Sequence, residues 1–87
     1  MVVTRYEVVS KLTDYLHHRV NQQGLIDWAE KAMMEREFDE NDFETLRDVI
    51  SRLGLADVKA FGLTWEDCET YLSRLGYSVQ VEILSVA

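Results

Sequence analysis

The chain has 87 residues, 47% of them apolar and 29% charged, a composition that excludes an intrinsically disordered segment and suits one folded domain, 1–87, with a modest core. Its formal charge of −7 disfavours nucleic acid and anionic membrane, because affinity for either begins with cations on phosphates, and favours a basic or neutral protein partner. No apolar run nears the ~20 residues of a membrane span, no basic-then-apolar leader opens the chain, and the single cysteine, Cys68, allows no internal disulfide, so a cytoplasmic protein held by packing and helix ends is expected.

Thr4-Arg5-Tyr6-Glu7 matches a capping box, with Thr4 as N-cap, Glu7 at the third helical position, and Val3 and Val8 placed as a hydrophobic staple. The spacing of Val9, Leu12, Leu16 and Val20 then predicts a first helix over 5–23, its apolar side widened by Tyr6, Val8 and Tyr15. Two stops are open for it. One is glycine at Gly24-Leu25; the other is a turn at Asn21, which caps the next helix with Val20 and Leu25 as staple. A second helix is expected over 25–36, with Leu25, Trp28, Ala29, Ala32 and Met33 inward.

The helix over 40–53 is the one against which the others pack. Asp39 is its N-cap, Phe38 and Phe43 its staple, and Phe43, Leu46, Val49, Ile50 and Leu53 repeat at three and four residues to make a buried stripe. Gly54 supplies a left-handed residue after its last turn, covered by Leu55. A short helical turn follows over 57–61. Thr64 then caps a last helix over 65–75, with Asp67 at the third position, Leu63 and Cys68 as staple, Trp65, Cys68, Tyr71, Leu72 and Leu75 inward, and Gly76-Tyr77 as its stop. Residues 50–55 and 72–77 are near-copies, read as two helices that end by the same chemistry rather than as a repeat.

From Tyr77 the period changes from 3.6 to 2. Tyr77, Val79, Val81 and Ile83 alternate with Ser78, Gln80 and Glu82, which predicts a strand over 77–84. Its mate is residues 1–3, a second copy of the chain, or another protein's sheet edge, because a lone strand leaves its backbone unsatisfied. The fold class is mainly α: a small four-helix orthogonal bundle with one short helical turn and a C-terminal β-strand.

Glu35, Glu37, Glu40, Asp42 and Glu44 form the densest acidic run and suit docking of a basic partner, although acids at a helix N-terminus also serve the helix dipole. Asp39-Glu40-Asn41-Asp42 opens like a calcium loop, but Glu44 stands where that loop needs glycine and Ile50 where it needs a bidentate glutamate, so calcium is rejected. His17 and His18 are adjacent and diverge on a helix; Asp14 and His18 give two ligands, too few for zinc. Cys68 sits where a small core residue belongs, and Trp28 and Trp65 each fit an inner face. No cofactor, metal or nucleic acid is expected. The leading function is a non-enzymatic protein-interaction module, a small acidic regulator, inhibitor or adaptor, acting through the strand and the acidic surface, as a homodimer or with another protein. Two alternatives remain: a winged helix-turn-helix built from 58–61, the last helix and the strand, whose Glu66, Asp67 and Glu69 would oppose phosphates, and a small enzyme using Cys68.

Overall fold

The computed structural model describes residues 2–35, 37–58 and 62–86, Glu35 by its backbone alone. The order is β1 (Val2–Val3), α1 (Arg5–Leu16), α2 (Gln22–Glu35), β2 (Glu37–Phe38), a 3-10 turn (Glu40–Asp42), α3 (Phe43–Leu53) and α4 (Trp65–Arg74). The chain is mainly helical, with a two-stranded parallel sheet as its β element among the described residues.

Thr4 starts α1 as expected: its side chain accepts from the amide of Glu7 at 3.3 Å. The helix ends at Leu16, well short of residue 23. His18 turns left-handed at φ 62°, the His18 amide donates to the Tyr15 carbonyl at 3.1 Å, and the Arg19 amide donates to the Asp14 carbonyl at 2.8 Å. These are the two bonds of a Schellman stop, here built on histidine at a cost of about 1 kcal/mol relative to glycine. Asn21 then caps α2, accepting from the Gly24 amide through Oδ1 at 2.8 Å and from the Leu25 amide through its carbonyl at 3.0 Å. Neither stop open from the sequence ends α1, which stops earlier at His18; of the two, the turn at Asn21 is present as the cap of α2, and Gly24-Leu25 is inside that helix. Gly24 lies in the first turn of α2, where a Cβ would come within 3.3 Å of the Asn21 Oδ1.

The stripe of α3 is the centre of the core. Leu46, Val49, Ile50 and Leu53 are fully buried against Leu25, Ala29 and Ala32 of α2, Val8 and Leu12 of α1, and Cys68, Leu72 and Leu75 at the α4 end. The alanines keep the α2 surface low, and α2 with α3 is the most extensive helix pair. Asp39 caps the 3-10 turn by accepting from the Asn41 amide at 3.0 Å, and the Phe38 and Phe43 rings lie 5.9 Å apart as the staple predicted. Phe43 is nevertheless half exposed, with the Arg47 guanidinium over its ring, so the buried stripe begins at Leu46. Met33, expected inward, is also half exposed.

Residues 2–3 do find a strand, but it is β2: Val2 is in register with Glu37 and Val3 with Phe38, and the Asp39 amide continues the ladder to the Val3 carbonyl at 2.9 Å. That pairing seats Val3 in the core. The near-copies end differently. Gly54 stays right-handed at φ −66°, and the chain continues through tight turns to Asp57. Gly76 is left-handed at φ 93°, with the Tyr77 amide bonded to the Leu72 carbonyl at 2.9 Å and the Gly76 amide to the Ser73 carbonyl at 3.0 Å. The short helical turn over 57–61 falls largely outside the described residues.

The capping box of α4 is complete, with the Asp67 amide donating to the Thr64 hydroxyl at 3.1 Å and the Thr64 amide to the Asp67 carboxylate at 3.0 Å. Beyond Gly76 the expected strand over 77–84 is not formed, and residues 77–86 carry no regular structure. A strand exists only where an edge accepts it, and residues 2–3, one of the mates expected, pair with β2 and not with the tail. The Cα radius of gyration, 13.4 Å, exceeds the about 12 Å of a compact chain of this length, as a projecting tail requires.

Candidate interaction surface

The tail is anchored at one end and unpartnered at the other. Gly76 aims it back over the bundle, Val79 packs half-buried on the core, and residues 77–80 line a groove of about 220 Å³ with Val9, Thr13, Leu16 and His17 of α1 and Leu72 of α4. Past Gln80 the side chains are mostly exposed. Val81 is 67% exposed and Ile83 92%, and Leu84 and Val86 are comparably bare. From Ser78 to Val86 no backbone hydrogen bond is made among the described residues. The face predicted from alternation is therefore divided: Tyr77 and Val79 lie along the bundle, while Val81 and Ile83 project into solvent with ladder donors and acceptors open.

The acidic residues lie at the end of α2 (Glu35), on β2, on the 3-10 turn and on the first turn of α3. Glu37, Glu40 and Glu44 are exposed, Asp42 is partly buried, and the side chain of Glu35 lies outside the description. Cations interleave with them. Arg5 stands over the Tyr6 ring at 5.3 Å and donates to the Tyr6 hydroxyl at 3.4 Å; that bond first, then the nearby Asp42 carboxylate, holds its guanidinium protonated above its ordinary range. A hollow of about 280 Å³ lies between Thr4, Arg5, Tyr6, Asp39, Asn41 and Asp42. This surface is mixed in sign and arranged around helix starts, which weakens the case for it as a docking patch on charge alone.

Two apolar features escaped the sequence reading. Met33, Met34, Ile50, Gly54 and Leu55 line a groove of about 390 Å³ between α2 and the end of α3, with Met34 at 85% exposure. The signal was present in Met33-Met34, since two adjacent methionines cannot both point inward from one helix. The second is a cleft of about 530 Å³ between Tyr15, Leu16, His18, Val20 and Trp65. Two polar residues on its rim are already engaged, Asn21 in capping α2 and Gln22 in donating through Nε2 to the Ala56 carbonyl at 2.8 Å. Trp65, expected in the core, is 40% exposed at the first helical position of α4, while Trp28 is partly buried with the Lys11 ammonium 5.9 Å from its ring.

Cys68 is buried, and burial followed by the nearby Asp67 charge pushes its thiol up to about 11, so it carries no thiolate at neutral pH. His17 and His18 are exposed at the far end of α1. Among the described residues no group of three or more His, Cys, Asp or Glu side chains converges to hold a metal ion, and no helix is long and apolar enough to cross a membrane. No protein-family model matches the chain, and no curated protein or solved structure matches it either.

Proposed function

We propose that the protein is a non-enzymatic interaction module, a small regulator, inhibitor or adaptor whose C-terminal segment binds by becoming a β-strand. One observation carries the reading: a stretch with the alternation of a strand carries no regular structure, with Val81 and Ile83 exposed and its backbone donors and acceptors unpartnered among the described residues. Main-chain bonds to a partner edge would supply affinity, and the side chains of Val81 and Ile83 would supply register and apolar contact. The helices position this segment through the left-handed Gly76 and the packing of Val79. The exposed acids Glu37, Glu40 and Glu44 lie outside this segment and would affect only the encounter rate, raising it for a basic partner and lowering it for an acidic one, and not the grip itself.

The test is affinity capture, from a mixture that includes a differently tagged second copy of the chain, with the full chain, with Val81→Pro, and with Glu37, Glu40 and Glu44 all changed to glutamine. Proline removes a ladder donor and fixes φ in a segment outside the core, so the bundle stays folded while strand addition is lost. Proteins held by the parent chain and the glutamine variant should be missing from Val81→Pro. An identical set on all three would overturn the reading.

A further inference from the structure

The tail differs from the rest of the chain in charge as well as in structure. Of residues 77–86 only Glu82 is ionised, in a protein of net charge −7. A basic partner would select acids in the segment that grips it, and this segment lacks them. Conversely, two copies of an acidic chain repel each other everywhere except where carboxylates are sparse. We propose, building on the reading of the tail as the binding strand, that its partner is a second copy of this chain, and that two tails pair antiparallel across a two-fold axis at Gln80.

The register follows from side-chain matching. In an antiparallel pair the residues opposite one another share a face, and a two-fold axis normal to the ribbon sets one residue against its own copy. With the axis at Glu82, two carboxylates would stand directly opposed, which is destabilising. Centring on Ile83 would place Val81 against Ser85 of the second copy and Glu82 against Leu84. An axis at Val81 leaves Tyr77 against Ser85. With the axis at Gln80, Tyr77 meets Ile83, Val79 meets Val81, Ser78 meets Glu82, and Gln80 meets itself. All four apolar residues are matched, and the one carboxylate faces a hydroxyl.

The anchoring of Val79 then determines where the free residues go. That axis keeps each strand's faces on the same side, so Val81 and Ile83 of one copy come down on the bundle of the other, alongside the Tyr77 and Val79 seated there. The groove formed with Val9, Thr13, Leu16 and His17 is continuous with that position. One short pair of strands and two seated side chains per copy make a small interface of the weak, transient class, so the dimer dissociates on dilution.

Light scattering over a concentration series, combined with oxidative cross-linking of Gln80→Cys, Val81→Cys and Glu82→Cys in the full chain, tests this directly. The native Cys68 is buried and contributes no background. Cα atoms opposed on the axis fall within disulfide range, whereas the two copies of residue 81 would stand roughly 8 Å apart and those of 82 farther. The expected result is a mass rising from 10.1 kDa toward twice that value, with a covalent dimer severalfold more abundant for Gln80→Cys than for the other two. A maximum at 81 or 82 would overturn the register and the axis. A monomer at every concentration would overturn self-pairing alone and leave the strand reading to the capture test. A dimer that survives Val81→Pro would overturn both.

Discussion

The Cys68 thiol lies on the inner face of α4 with Leu72 and Leu75, and its environment makes it a packing atom. A group whose ionised form is disfavoured in the fold links stability to pH. Between its ordinary value near 9 and about 11, the unfolded chain has released the thiol proton while the folded chain still holds it. The folded state then binds more protons, so this contribution to stability falls as pH rises through that window. Urea midpoints measured from about pH 8 to about pH 11 should drop more steeply for the parent than for Cys68→Ala, whose overall stability is lower from lost packing; parallel curves would show that the thiol is not desolvated. At the same scale, Trp65 shows where reading by stripe misleads. Spacing allies it with Cys68 and Leu72, yet as the first helical residue it lies beside the open cleft with Tyr15, where no further turn of α4 covers it.

Helix starts were legible in the sequence because their chemistry is local. Thr4 and Thr64 each accept the amide bond that a helix cap requires, from residues within four of them, whereas Asp39 caps only the 3-10 turn and α3 starts at Phe43 with no side-chain cap bond. Helix stops were less legible, because glycine permits a left-handed residue without requiring one. The near-copies 50–55 and 72–77 put this to the test. Gly76 is left-handed, so Gly76→Ala should cost about 1 kcal/mol. Gly54 is right-handed, and a Cβ there would meet Ser51 O at 3.6 Å, Ile50 O at 3.7 Å and Glu30 Cγ at 3.8 Å, all ordinary contacts. Gly54→Ala should therefore gain about 0.5 kcal/mol by restricting the unfolded chain. Chemical denaturation of the two variants reads the contrast, and equal losses would mean that both helices end by one motif. α1 shows the converse: His18 makes a left-handed stop with no glycine, which no sequence pattern announces.

At the scale of the whole molecule, the helical class and the α3 core were legible because both follow from a 3.6-residue period, which needs no knowledge of what lies across the contact. The sheet was not, because the Val2–Val3 pairing with Glu37–Phe38 joins residues far apart in sequence and too short to alternate. The tail was half legible: alternation marks Val81 and Ile83 as one face, but only the fold shows that β1 pairs with β2 and that the tail makes no backbone hydrogen bond past Tyr77 among the described residues. On the proposed reading of the tail, stability and binding are therefore separable. Residues 80–86 make no backbone hydrogen bonds among the described residues and bury almost no apolar surface, whereas Val79 packs on the core. Truncation after Val79 should leave the urea midpoint of the dilute chain unchanged while abolishing concentration-dependent mass. Val79→Ala should lower the midpoint by about 1 kcal/mol equivalent, from loss of a half-buried side chain. A truncated chain that melts earlier at the same dilution would place residues 80–86 in the fold itself, and the strand would then stabilise the bundle rather than reach out from it.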